Sequence, residues 1–215
     1  MDFQNNPGHN CLSHFKTIGM NIEKINPRFA VLALFMLVAA AMRIPDSAQL
    51  TPWANFTPIG AMALFGGAYF TSKWKAVLFP LLTLLASDLI IQNLVLNGKY
   101  GFMYSGWYWI YGIFIFITFI GKWLIKKVSV KNVLLAAVTA SLIYWVIADF
   151  TVWAGGGTDI RTMTPLSRDW AGLQQCYIQG FPFAKNFLAG TLVYSGIMFG
   201  AFEWMKTKQP ALNIA

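Results

Sequence analysis

Val133-Leu-Leu-Ala-Ala-Val-Thr-Ala-Ser-Leu-Ile-Tyr-Trp-Val-Ile-Ala-Asp-Phe-Thr-Val152 is twenty residues long, and its single ionisable acid is Asp149. At ~1.5 Å of helical rise per residue such a stretch covers ~30 Å, the thickness of a bilayer's hydrocarbon core. It therefore reads as a membrane-spanning helix with one acid near its end. Outward from it, Ala76–Leu96, Gly106–Ile125 and Phe181–Met205 match or exceed that length and are also mostly apolar. Phe29–Ile44 and Pro58–Phe70 are shorter apolar segments. The second of these is read as capped by Thr57, with Pro58 at the first helical position. The expected fold is all-α, a polytopic membrane bundle of about six transmembrane helices. It occupies residues 25–215, after a polar leader, 1–24, expected to be disordered.

Composition agrees. The chain has 215 residues, 57% hydrophobic and only 11% charged, more apolar surface than a soluble interior of this size can bury. The net charge of +8 does not point to nucleic acid, because the Lys and Arg residues lie mostly in short loops beside apolar segments. They set orientation instead. With both termini in the cytoplasm, eleven fall inside: Lys16, Lys24, Arg28, Lys73, Lys75, Lys122, Lys126, Lys127, Lys131, Lys206 and Lys208. Four fall outside: Arg43, Lys99, Arg161 and Arg168. The small residues Ala39–Ala41 also suit a signal-peptide cleavage site, and Met20 is an alternative start; retention of the first helix is the preferred reading.

An ionisable side chain inside a span is costly and turns toward a partner, a cavity or water. Asp88, Asp149 and Lys185 are the candidates. Asp88 lies ~18 Å along its helix from Ala76, in the outer half of the core, and Asp149 and Lys185 fall in the same layer. Arg43 ends the first helix there, and Asn55 with Thr57 precedes the second. Helical spacing puts Gln92 on the face of Asp88, and Trp145 and Trp153 on the face of Asp149. The expectation is a shared outward-facing pocket, with Asp88 as the main ligand contact. Asp149, Lys185, Gln92 and Asn55 accompany it, and Trp153 forms part of a cover. The competing reading is an Asp–Lys ion pair that only fixes packing.

Trp107, Tyr108, Trp109 and Tyr111 open the fourth helix and read as an interfacial aromatic belt in preference to a ligand wall. The long outer connection Thr151–Gly180 is a candidate lid, and its Gly155-Gly156-Gly157 lacks the Lys-Ser/Thr of a phosphate-binding loop. Both histidines, His9 and His14, lie in the leader with Cys11, so the spans offer no imidazole base; no enzyme activity, cofactor or metal is expected. Cys176 reads as a buried thiol. Small residues four apart at Ala63/Gly67, Ala136/Ala140 and Gly196/Gly200 permit close helix approach, within the bundle or to a partner.

Asn55-Phe-Thr-Pro-Ile-Gly-Ala-Met-Ala-Leu-Phe-Gly-Gly-Ala-Tyr-Phe70, Ser87-Asp88-Leu89, Trp170-Ala-Gly-Leu-Gln-Gln-Cys-Tyr177 and Phe181-Pro-Phe-Ala-Lys-Asn186 resemble the signature of a family of small bacterial membrane proteins with no assigned function. The resemblance runs from about Ile25 to Trp204. In helix number, orientation and a glycine-rich second helix, that family is similar in turn to substrate-binding subunits of energy-coupling-factor transporters. The likeness implies a bacterial inner-membrane protein that captures a micronutrient from outside and relies on separate membrane and ATPase subunits. The first helix lacks a clear Ala-x-x-x-Ala coupling motif. The expected function is small-solute capture and uptake; an ion-coupled secondary transporter, or an assembly protein without a ligand, are the alternatives.

Overall fold

The computed structural model describes residues 27–47, 53–98 and 101–213. The leader, with His9, Cys11, His14 and Met20, lies outside them, as does Lys99. Among the described residues, six α-helices form a bundle: α1 Pro27–Ser47, α2 Ile59–Tyr69, α3 Lys73–Ile90, α4 Trp107–Leu124, α5 Val130–Ala154 and α6 Trp170–Lys208. A wider π-helical turn, Ile91–Val95, extends α3. Between α5 and α6 lies a small antiparallel hairpin, β1 Thr158–Asp159 and β2 Thr164–Pro165, pairing Thr158 with Pro165 and Asp159 with Thr164.

Among the described residues, four helices are long and apolar enough to cross a membrane: α3 through Leu94, α4, α5 and α6. Their outward faces carry exposed Leu78, Phe116, Leu134, Val146 and Val193, which a soluble protein would not leave uncovered and which lipid solvates. α1 lies on the outside of the bundle. Leu32, Met36 and Ala39 face inward, while Leu34, Leu37, Val38 and Met42 are at least half exposed.

α2 departs from the pattern. Its eleven residues cover only ~16 Å, about half the core thickness, and ten of them are buried. A helix apolar on every side belongs inside a larger structure, and here α1, α3, α4 and α6 surround it. Gly67 and Gly121 make this possible: a Cβ on Gly67 would stand 2.0 Å from the Thr118 carbonyl oxygen, and one on Gly121 2.5 Å from that of Leu64. The Ala63/Gly67 pair is thus an internal seam between α2 and α4, not a surface for a partner. Ala136 and Ala140 are likewise fully buried. Phe65 and Tyr69 fill the space toward α6, packing on Phe199 and Phe202. Thr57 does not cap α2: its hydroxyl has no hydrogen-bond partner, and Pro58 occupies the cap position.

α6 begins at Trp170, well before the expected Phe181, because Asp169 caps it, accepting a hydrogen bond from the Gly172 N–H at 2.8 Å. The connection expected over Thr151–Gly180 accordingly shrinks to residues 155–169.

Neighbouring helices alternate in direction, so the C-termini of α1, α3 and α5 meet the N-termini of α2, α4 and α6 at one end. That end holds Arg43, Asp88, Asp149 and the hairpin. The opposite end carries Arg28, Lys73, Lys75, Lys122, Lys126, Lys127, Lys131, Lys206 and Lys208.

Candidate functional site

At the aspartate end, the two span carboxylates sit in different surroundings. Asp88, 2% exposed on α3, is enclosed by neighbours on both sides. Arg43 of α1 donates from Nη1 to Asp88 Oδ1 and, at 2.7 Å, to Ser87 Oγ. Tyr111 of α4 donates its hydroxyl to Asp88 Oδ2 at 2.8 Å. Both carboxylate oxygens are therefore engaged by the protein. Lys185, the counter-charge of the competing ion-pair reading, is exposed on α6 and makes no ion pair among the described residues. The reason is packing order: α3 lies against α1, α2 and α4, so α1 supplies the cation.

Asp149 of α5 is half-buried, and its Oδ2 is enclosed without a hydrogen-bond partner. It faces α6 where Gly180 leaves room: a Cβ there would lie 1.9 Å from Oδ2. Two bonds lace α5 to α6 around it. Cys176 Sγ donates to the Asp149 carbonyl at 3.2 Å, and the Tyr177 hydroxyl donates to the Val146 carbonyl at 2.8 Å. Cys176 is thus the buried thiol the sequence suggested.

Asp149 lines a cavity of about 530 Å³ between α4, α5 and α6. Tyr104, Tyr108, Trp109, Tyr144 and Trp145 supply aromatic wall, and Gly155–Gly157 border it. Asn55 lines it from the segment before α2, with a left-handed backbone at φ +69°. Asn186 steadies that segment by donating from Nδ2 to the Ala54 carbonyl at 3.0 Å. Of the six residues singled out from the sequence, Asn55 and Asp149 line the cavity. Asp88, Gln92, Trp153 and Lys185 do not. Gln92 is buried, with its Oε1 unpartnered, and Trp153 donates from Nε1 to the Ser167 carbonyl at 2.9 Å, tying α5 to the connection.

In that connection Arg161 grips Asp159 through Nε at 3.1 Å and Nη2 at 2.7 Å, holding its carboxyl below the usual carboxylate range. The Gly172 N–H, helped by the Ser167 hydroxyl, does the same for Asp169. Burial pushes the Tyr104 phenol upward. Among the described residues no group of three or more His, Cys, Asp or Glu side chains could hold a metal ion.

Three participants escaped the sequence reading. Arg43 was visible in the right layer but not as the partner of Asp88. Tyr111 was grouped with the interfacial belt, yet it turns inward while Tyr108 and Trp109 remain exposed at the cavity. Gly180 carried no signal except its small size.

A family model matches residues 23–212. The chain belongs to DUF6580, a family of unknown function. No match was found among curated proteins or among solved structures. The DUF6580 match spans all six helices and both span carboxylates, so the family encompasses the cavity without assigning it an activity.

Proposed function

We propose that this protein captures a small solute at the aspartate end of the bundle and takes part in its uptake across a bacterial inner membrane, as a binding component and not as an enzyme. The observation that carries this reading is the cavity of about 530 Å³ with an enclosed, unpartnered Asp149 oxygen in its wall. That volume lies within the range of small-molecule sites, and a buried polar atom without a partner is costly unless something meets it. Asp149 and Asn55 are the proposed ligand contacts. Asp88 acts indirectly, holding α1, α3 and α4 together through Arg43 and Tyr111.

The concentration of Lys and Arg at the opposite end supports a topology with that end and both termini in the cytoplasm and the cavity outside. Solute capture from outside, the six helices and the buried glycine-rich α2 fit a part like the substrate-binding subunit of an energy-coupling-factor transporter, working with separate membrane and ATPase subunits. The Arg43–Asp88–Tyr111 network favours a second reading, an ion-coupled carrier, since buried ion pairs can act as coupling sites.

The test is mass spectrometry of small molecules released from the full chain after gentle detergent purification, followed by uptake assays in vesicles. Retention of a defined solute, with binding but no accumulation by the chain alone, supports the binding component. Concentrative uptake driven by an ion gradient would install the carrier instead. Outside labelling of a thiol introduced at Asp159, but not at Lys127, checks the orientation.

A further inference from the structure

The cavity's chemistry narrows the solute class. Resting on the reading of this cavity as a solute site, we infer that it takes a small organic cation, its positively charged N–H group meeting the Asp149 carboxylate and its body lying against the aromatic wall.

Charge is the first ground. Among the described residues, Asp149 is the only carboxylate lining the cavity, and no Lys, Arg or His side chain lines it. Three nearby cations are engaged elsewhere, Arg43 with Asp88, Arg161 with Asp159, and Arg168 through Nη1 with the Ala154 carbonyl at 2.6 Å, and Lys185, next to the lining Ala184, is exposed and outside the lining. The Trp145 indole approaches the Asp149 carboxylate without reaching hydrogen-bond geometry. An anionic solute would face this carboxylate unscreened. A neutral solute would leave the negative charge uncompensated in a low-dielectric wall.

The wall is the second ground. Tyr104, Tyr108, Trp109, Tyr144 and Trp145 present aromatic surface around the acid, and aromatic faces attract cations through their quadrupoles. A bare metal ion suits this poorly, because one carboxylate among aromatic groups offers too few oxygen ligands. The third ground is placement. Gly180 provides the clearance that lets the Asp149 carboxylate sit against α6, since any side chain there would displace it.

The test uses the full chain in lipid nanodiscs and three indole probes of matched size: tryptamine, a cation; tryptophol, neutral; and indole-3-propionate, an anion. Binding is read by calorimetry, and the small molecules retained on purification are identified by mass spectrometry. Tryptamine, or a retained organic cation, should bind at least roughly tenfold more tightly than its neutral and anionic counterparts, as expected for a charge-assisted contact. Asp149→Asn should remove that preference while the protein elutes as the folded species. The wild-type comparison stands on its own should the variant fail to fold. Charge-blind binding, or preference for the anion, would overturn the cation assignment and leave the solute site in place. Absence of binding by all three probes together with no retained small molecule would sink both.

Discussion

Asp88 and Asp149 are the same residue type on two spanning helices of one bundle, and they occupy opposite electrostatic situations. Asp88 has a guanidinium on one oxygen and a phenol hydroxyl on the other. Asp149 has one oxygen enclosed and unpartnered, with a glycine opposite and a cavity beside it. A buried carboxylate that the protein satisfies is part of the scaffold; one that it leaves unsatisfied is available to something else. Burial alone does not reveal this difference, because Asp88, whose oxygens the protein satisfies, is the more deeply enclosed.

The sharpest way to break this contrast is to remove the partner of Asp88. Arg43→Met should leave an uncompensated charge in the bundle and cost about 3–5 kcal/mol. The readout is thermal unfolding in detergent followed by tryptophan fluorescence, and Arg43→Met with Asp88→Asn should recover much of the loss. Unchanged stability in the single variant would show that the pair does not hold α1 to α3. Tyr111→Phe removes one hydrogen bond to the same carboxylate and should cost about 2 kcal/mol.

Gly180→Ala comes next. Its Cβ would strike the Asp149 carboxylate, which can swing away, so a loss of about 1 kcal/mol is expected. Combining it with Asp149→Ala should abolish the penalty, and a double-mutant cycle showing no coupling would contradict the placement of that carboxylate. Asp149→Asn alone should change the stability of the ligand-free protein by less than about 1 kcal/mol, because no ion pair is lost and the amide oxygen can still face the Trp145 indole. A loss as large as that of Arg43→Met would make Asp149 a scaffold residue too.

The smallest effect belongs to the surface hairpin. Asp159 has its carboxyl held low by Arg161, so the contribution is present above the ordinary carboxylate pKa of about 4 and is lost as pH falls through the depressed folded value. Proteolysis of residues 155–169 should quicken only in that acid range, while helix content stays constant.

The helical segments were legible because membrane solubility is written locally: about twenty successive, mostly apolar residues need no distant partner to favour a helix in lipid. The common layer of Asp88 and Asp149 follows from helical rise, and the structure brings Asn55 and Asp149 to one cavity. Boundaries were less legible. The run from Trp170 to Gly180 looked like loop because it contains Gln174, Gln175 and Gln179 and two glycines, yet Asp169 starts a helix that carries them through.

Residue order also made α2 apolar throughout its length and rich in glycine, which is enough to expect burial. That it becomes the centre of the bundle, clasped to α4 through Gly67 and Gly121, depends on two backbones meeting from distant parts of the chain. The pairing of Asp88 was decided in the same way. One-dimensional spacing places charges at a depth but says nothing of which helices are neighbours or how each is rotated. Packing brought α1 and α4 to α3, giving Asp88 its Arg43 and Tyr111, and set Gly180 opposite Asp149, leaving its Oδ2 without a hydrogen-bond partner.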